Sequence, residues 1–272
     1  MFLLATDLDR TLLPNGPMPR DDGLEILFEA LKTVPHLLVY VTGRNLNLVY
    51  EAQKEYNIPT PDYLIAEVGT SMFHKEGDNL VPETRWIEYI QSQEHNWNRE
   101  RITTAIGTEN NLTPQEEWKQ NPFKISYYLP SNSEKEGALG HIAQALASIG
   151  VVADVLFSID PLKDNIGLID VLPKTATKAT AVEFLRKQEG FTKDNTLYAG
   201  DSGNDILPLS HCYRSVLVKN APEEVKDLVT KRVAENGCSN TLYIATGVPP
   251  QNGNYASGIL EGLRHFGFVP SI

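Results

Sequence analysis

One pattern constrains the fold of this chain more than any other: short apolar runs that end in polar residues and lead into stretches of helical period. Phe2 to Thr6 runs into Asp7, Leu37 to Val41 into Thr42-Gly43-Arg44, and Thr196 to Ala199 into Gly200-Asp201-Ser202-Gly203-Asn204-Asp205. Each run has the length of a buried strand. Between them Leu46, Val49, Ala52 and Tyr56 recur at helical spacing, as do Ala181, Val182 and Leu185 and later Val225, Leu228 and Val229. Strand then helix, repeated, is the rhythm of a parallel sheet. In open sheets of this kind ligands bind in the crevice outside the carboxyl ends of the strands, so the polar residues closing the three runs should converge.

The stretch from 80 to 168 lacks that rhythm. It opens with aromatic and polar residues (Trp86, Tyr89, Trp97), continues through the alternating Lys124-Ile125-Ser126-Tyr127-Tyr128-Leu129 and the turn-rich Ser131-Asn132-Ser133, and closes with a helix-like His141 to Ile149 before Val151 to Phe157. The expected fold class is therefore α/β: a Rossmann-like parallel-sheet core from 1–79 and 169–272, with an inserted α+β cap domain at 80–168. The cap aromatics are read as that domain's own core, because aromatics more often supply buried area than ligand platforms.

A chain of 272 residues can bury such a core, and 41% hydrophobic with 22% charged residues is ordinary globular usage. A formal net charge of -11 argues against a nucleic-acid partner, which requires clustered cations. An anionic ligand would therefore need a local cation or a metal. Cys212 and Cys238 have no metal-ligand spacing, and both are expected to be reduced. The opening Met1-Phe2-Leu3-Leu4-Ala5 reaches an acid at Asp7, too early for a signal core, and no apolar run approaches the ~18 residues of a membrane span. A cytoplasmic protein without membrane contact is the expectation, which leaves the acceptor-like Asn111-Leu112-Thr113 unused. The six histidines show no ligand spacing, and His211 is read as structural.

Chemistry concentrates at the strand ends. Asp7 and Asp9, two apart in extended backbone, point the same way. An isolated Asp-Leu-Asp would be a polar loop. Here Thr11, Thr42, Lys178 and the Asp201 to Asp205 cluster stand where other strands or helices should end or begin. Like charges a few ångströms apart require a cation or a shared proton. An all-oxygen set of Asp7, Asp9, Asp201 and Asp205 suits Mg²⁺. The reading that follows has Asp7 as nucleophile toward a phosphoryl group, Asp9 as acid and then base, and Lys178 neutralising the transferring oxygens. Thr42, Gly43, Lys178 and Asn204 would bind the phosphoryl group.

Asp7-Leu8-Asp9-Arg10-Thr11, Val41-Thr42-Gly43-Arg44, Lys178 and Gly200 to Asp205 resemble, in order, the four motifs of the haloacid-dehalogenase-like phosphatase superfamily, and the match spans the whole chain. Pro61-Asp62-Tyr63, Val68-Gly69-Thr70 and Asn121-Pro122-Phe123-Lys124-Ile125-Ser126-Tyr127 narrow the resemblance to its sucrose-phosphate phosphatases. That resemblance implies hydrolysis of sucrose 6F-phosphate, a large cap that selects substrate, Lys124 as a sugar contact, and Arg44 and Asn45 at the cleft edge. Arg10 and Leu12 depart from the Asn and Trp more usual in that family, and Phe157 to Asn165 is longer and different. Phosphatases for mannosylfructose phosphate, glycosylglycerol phosphate or glycosylglycerate phosphate stay open as alternatives. From another class, so does a non-catalytic partner of a sugar-phosphate synthase; binding to such a synthase could also accompany catalysis.

Overall fold

The computed structural model describes residues 1–160 and 164–270. The first stretch runs β1 (Phe2–Thr6), α1 (Gly23–Lys32), β2 (His36–Val41), α2 (Leu46–Tyr56), β3 (Tyr63–Ala66), β4 (Ser71–Glu76) and β5 (Asn79–Pro82). The middle holds α3 (Thr84–Gln93), α4 (Arg99–Ile106), β6 (Thr113–Pro114), β7 (Ile125–Leu129), α5 (Lys135–Ser148), β8 (Ala153–Asp160) and β9 (Ile166–Pro173). The last stretch is α6 (Lys178–Gln188), β10 (Thr196–Gly200), α7 (Ile206–Leu209), β11 (Arg214–Leu217), α8 (Glu223–Glu235), β12 (Leu242–Ile244) and α9 (Ala256–His265).

Two compact units result: Met1–Glu83 joined by the residues from Lys178 onward, and Thr84–Thr177. Both boundaries fall later than the expected 80 and 168. The reason is strand pairing: β5 closes the sheet of the first unit by pairing with β4, and all of β9 pairs within the second unit.

The first unit is built on an eight-stranded sheet of order β12-β11-β10-β1-β2-β3-β4-β5. Neighbours from β12 to β3 are parallel, and β4 and β5 continue antiparallel. All five residues of β1 are buried, as a central parallel strand covered on both faces must be. Leu4, Leu27, Leu31, Tyr40, Val49, Leu64, Leu197, Val216, Ile259 and Leu260 share one apolar cluster, so α1, α2 and α9 pack on the sheet through their regularly spaced aliphatic residues. In α2, Asn45 caps the start by accepting the Leu48 N–H at 3.0 Å, and Asn57, left-handed at φ 52°, ends the helix. In α8 the buried residues are Val225, Val229 and Val233; Leu228 is 47% exposed, so the expected trio faces the core through two of its members.

The second unit is an antiparallel sheet of order β6-β7-β9-β8 with α4 and α5 packed against it through Ile102, Ile106, Ala138, Ile142 and Leu146. Tyr127 is buried in that cluster, Trp97 packs on it, and Trp86 is fully buried and stacked on Tyr89. These aromatics therefore serve packing. Of the divergent Phe157 to Asn165 segment, Pro161, Leu162 and Lys163 lie outside the described residues.

Cys212 and Cys238 are joined in a disulfide, contrary to the expectation of two reduced thiols. Their separation of 26 residues carried no signal of proximity, but the fold brings the two Cα atoms to 5.6 Å, within bridging range. No helix among the described residues is long and apolar enough to cross a membrane.

Candidate active site

The chain runs from β1 outward through β2 and β3 on one side, then returns to place β10, β11 and β12 on the other. The reversal lies between β1 and β10, and a crevice at such a point is where open sheets bind ligands. Asp7 directly follows β1 and donates its backbone N–H to Ala199 O of β10 at 2.9 Å; Asp201 directly follows β10, and Thr42 directly follows β2. The three strand ends converge as the sequence pattern requires.

Lys178, the first residue of α6, brings its ammonium between two carboxylates. Its Nζ donates to Asp7 Oδ1 at 2.7 Å and to Asp205 Oδ1 at 2.8 Å, and the residue is only 2% exposed. The lysine that the sequence reading set beside Asp7 is thus buried against it. Burial works against its charge, but Asp205 and Asp7 outweigh burial and hold the ammonium protonated.

Asp205 is the most fully occupied group of the site. Besides Lys178 it accepts from Tyr198 OH at 2.6 Å, from the backbone N–H groups of Asp201 and Ser202 at 3.2 and 3.1 Å, and from Ser202 Oγ at 2.9 Å. Burial raises its pKa, yet Lys178 and these donors bring it below the ordinary carboxylate value. Gly200 makes this packing possible, since a Cβ there would lie 2.6 Å from Asp205 Cβ.

Asp7 and Asp201 behave oppositely. Burial pushes the Asp7 carboxyl up to about 8 against the pull of Lys178, with Asp205 and Asp201 adding repulsion. Burial likewise pushes Asp201 up to about 6, opposed by Arg10, whose Nε lies 3.4 Å from Asp201 Oδ2, and by the Thr11 hydroxyl that donates at 3.2 Å.

Asp7, Asp201 and Asp205 each offer an oxygen to a group whose members lie within 4.8 Å of one another, and all three are buried. Three carboxylates thus face the buried Lys178 and the half-exposed Arg10, and hard oxygen donors in excess of cations fit a divalent ion such as Mg²⁺. Asp9 is not part of this group. Arg44 Nε donates to its Oδ2 at 2.9 Å, Arg44 Nη2 to its Oδ1 at 2.6 Å, and Asn15 Nδ2 to Oδ1 at 2.6 Å. Burial raises the Asp9 pKa, but Arg44 and Asn15 outweigh it and hold the carboxyl below its usual range. The Asp9 side chain, expected among the metal ligands, has both its oxygens bonded to Arg44 and Asn15 here.

The remaining expected residues divide. Thr42 is fully buried, and its hydroxyl accepts the Arg44 N–H at 3.1 Å, leaving the hydroxyl proton to donate. A Cβ at Gly43 would meet nothing within 4 Å, so the backbone there borders open space. Asn204 is exposed and accepts from Ser202 Oγ at 3.1 Å. Arg44 is committed to Asp9, and the Asn45 side-chain oxygen caps α2. Lys124 belongs to the second unit, where its buried ammonium donates to Lys119 O at 2.8 Å and lies 3.9 Å from Asp170. Sequence reasoning missed Asn15, Tyr198 and the charge of Arg10. Tyr198 sits inside an apolar run and reads as core, while Pro14-Asn15-Gly16 reads as a turn.

A parallel-sheet core interrupted by a second unit, with buried carboxylates and a lysine at the strand ends, defines a haloacid-dehalogenase-like hydrolase. Among known proteins, a family model described as sucrose-6F-phosphate phosphohydrolase matches residues 1–267, and the chain belongs to that family of phosphoric monoester hydrolases. It is 37% identical to a putative HAD-like hydrolase of Nitrosococcus oceani, over 97% of this chain and 71% of that protein. It is 31% identical to the mannosylfructose-phosphate phosphatase of Agrobacterium fabrum, over 98% of both chains. The structure of the Synechocystis sucrose-phosphatase in complex with sucrose and phosphate superimposes with a TM-score of 0.74 at 29% identity, covering 99% of each chain. The chain spans 60% of the length of sucrose-phosphatase 1 of Nicotiana tabacum, to which it is 30% identical.

Proposed function

We propose that this chain is a Mg²⁺-dependent phosphatase that hydrolyses a disaccharide phosphate, sucrose 6F-phosphate in the first instance, through an aspartyl-phosphate on Asp7. The observation that carries the reading is the buried Lys178 ammonium bonded at once to Asp7 and Asp205 beside Asp201, at the reversal point of the sheet.

In the first half-reaction an Asp7 oxygen attacks phosphorus in line, and the bond from phosphorus to the sugar oxygen breaks while Asp9 delivers a proton to that oxygen. In the second, water attacks the acyl phosphate, Asp9 takes its proton, and phosphate leaves with Asp7 regenerated. The grip of Arg44 on Asp9 favours the carboxylate, the form this second step requires, so an Asp9 oxygen must leave Arg44 to carry the proton that the first step delivers. Lys178, the Thr42 hydroxyl, the backbone at Gly43 and the exposed Asn204 would bind the phosphoryl oxygens. Mg²⁺ held by Asp7 and Asp201, with Asp205 supporting them, would offset the repulsion between the nucleophile and an anionic phosphate. The second unit acts as a cap that selects the sugar, with Lys124 as its contact. Association with a sugar-phosphate synthase would leave the chemistry unchanged, and its signature is a pull-down that survives Asp7→Asn.

The end-to-end likeness to the mannosylfructose-phosphate phosphatase supports a second substrate on the same site. A few polar groups read one hydroxyl's orientation, so the two readings separate only by rates. Phosphate release with Mg²⁺ from sucrose 6F-phosphate, mannosylfructose phosphate, glycosylglycerol phosphate and fructose 6-phosphate tests them. Highest kcat/KM on the sucrose ester is expected. Preference for another ester would move the specificity and keep the Asp7 chemistry, and no release from any would remove both.

A further inference from the structure

We propose that Asn15 is a positioning residue for Asp9, a role that rests on the phosphatase reading above. Its amide is polarised by two fixed partners. Asn15 Oδ1 accepts the Arg10 backbone N–H at 2.7 Å, and since that N–H can only donate, the Asn15 amide nitrogen must face the other way. There it donates to Asp9 Oδ1 at 2.6 Å. Arg10 is left-handed at φ 60°, a conformation that a long side chain adopts only when its surroundings impose it. Asn15 supplies one restraint, and the Asn220 side chain, donating to Arg10 O at 2.6 Å, supplies the other.

The turn that follows Asp9 thus folds back to deliver an N–H donor to its carboxylate. Arg44, from the connection between β2 and α2, grips both Asp9 oxygens and also donates to Leu48 O at 3.1 Å, so its hold belongs to α2 rather than to Asp9's own turn. Asn15 is short, fixed at its far end by backbone, and approaches from Asp9's own loop. It therefore keeps the Oδ1 edge of Asp9 in place while Arg44 moves or stays, so that Asp9 meets the leaving oxygen in one orientation.

The experiment compares wild type, Asn15→Ala and Asn15→Asp on two esters with Mg²⁺. One is the sugar phosphate that the wild type turns over fastest in the panel; the other is p-nitrophenyl phosphate, read as single-turnover release of nitrophenolate, which leaves without needing a proton. Asn15→Asp keeps an oxygen for the Arg10 N–H but sets a second carboxyl group against Asp9, so a residue that only shaped the turn would tolerate it. Both variants are expected to lose about 10- to 100-fold in kcat on the sugar ester, the rate equivalent of a charge-assisted hydrogen bond, with KM nearly unchanged. Nitrophenolate release should stay within about 3-fold of wild type, since loss of proton donation is not felt there.

Equal losses on both esters, or a wild-type Asn15→Asp enzyme, would overturn the role. Thermal melting identifies a variant that fails to fold, in which case the other variant decides. A wild type silent on every ester overturns the phosphatase reading and this inference together, which distinguishes that failure from the first.

Discussion

Asp7 differs from every other acid of the site in having strong support from one direction and repulsion from two. Lys178 anchors one of its oxygens, while burial and the neighbouring Asp205 and Asp201 carboxylates push the group up to about 8. Asparagine is close to isosteric, can still accept from Lys178 and cannot form an acyl phosphate. Asp7→Asn is therefore expected to lower kcat for phosphate release by about 10⁴-fold or more while its melting temperature stays near or above that of wild type. Wild-type-like turnover in the purified variant would exclude the covalent route. Lys178 is the converse case. Removing the one ammonium between two buried carboxylates leaves their charge uncompensated, so Lys178→Met should lose about 3 kcal/mol of stability by denaturant unfolding as well as its activity. A stability unchanged within error would mean that the two carboxyls protonate at no cost in the fold.

At the level of elements, the joint between β12 and α9 offers a pH-linked test remote from the reaction. Glu261 of α9 accepts from Tyr243 OH at 2.6 Å, from the Thr246 N–H at 3.0 Å and hydroxyl at 3.2 Å, and from the Gly247 N–H at 3.0 Å. Burial raises its pKa, but these donors outweigh burial and set it below the ordinary glutamate value. A carboxyl depressed in the fold binds protons more readily in the unfolded chain, so its contribution is present above the unfolded pKa, roughly 4.3, and is lost as pH falls through the lower folded value. Wild type should exceed Glu261→Gln in stability at pH 7, and the gap should close on acidification below about pH 4. A gap that widened in acid would reverse the assigned direction.

The same scale explains what could be read beforehand. β1, β2 and β10 were legible because each is a continuous apolar run, buried on both faces and closed by the polar residues that do the chemistry. The second unit was legible as a different kind of structure, but its edges were not: the apolar residues of β5 and β9 do not say which sheet each joins, and only their pairing partners assign one to each. The Asn15 bridge depends on how one short turn folds back, and the Asp9 to Arg44 pair and the Cys212 to Cys238 disulfide depend on approach between segments. No local period encodes such approach. Conversely, Lys178 was legible only in company, since a single lysine at a helix start has no feature that distinguishes burial from solvation.

The whole molecule carries a net charge of -11, yet its proposed substrate is an anion and its reaction centre is itself rich in carboxylates. Long-range attraction cannot bring these together, so the local cations must, and Lys178 is already shared with Asp7 and Asp205. A divalent ion bound to Asp7 and Asp201 in the folded state alone would couple the charge problem to global stability. Binding to the native state stabilises by an amount that grows with the logarithm of ligand concentration, about 2.7 kcal/mol at a hundred times the dissociation constant. Mg²⁺ titrated into metal-free protein should therefore raise the melting temperature progressively, by several degrees near that excess, and chelation should return it to the starting value. Asp201→Asn separates this effect from non-specific screening by salt. It removes one of the crowded carboxylates, so the metal-free variant should melt no lower than metal-free wild type. It also removes a ligand, so the Mg²⁺-dependent rise should largely disappear, whereas the same concentration of Na⁺ should affect both proteins alike. A full Mg²⁺ response in Asp201→Asn would place the cation elsewhere and leave the buried acids to be balanced by protons.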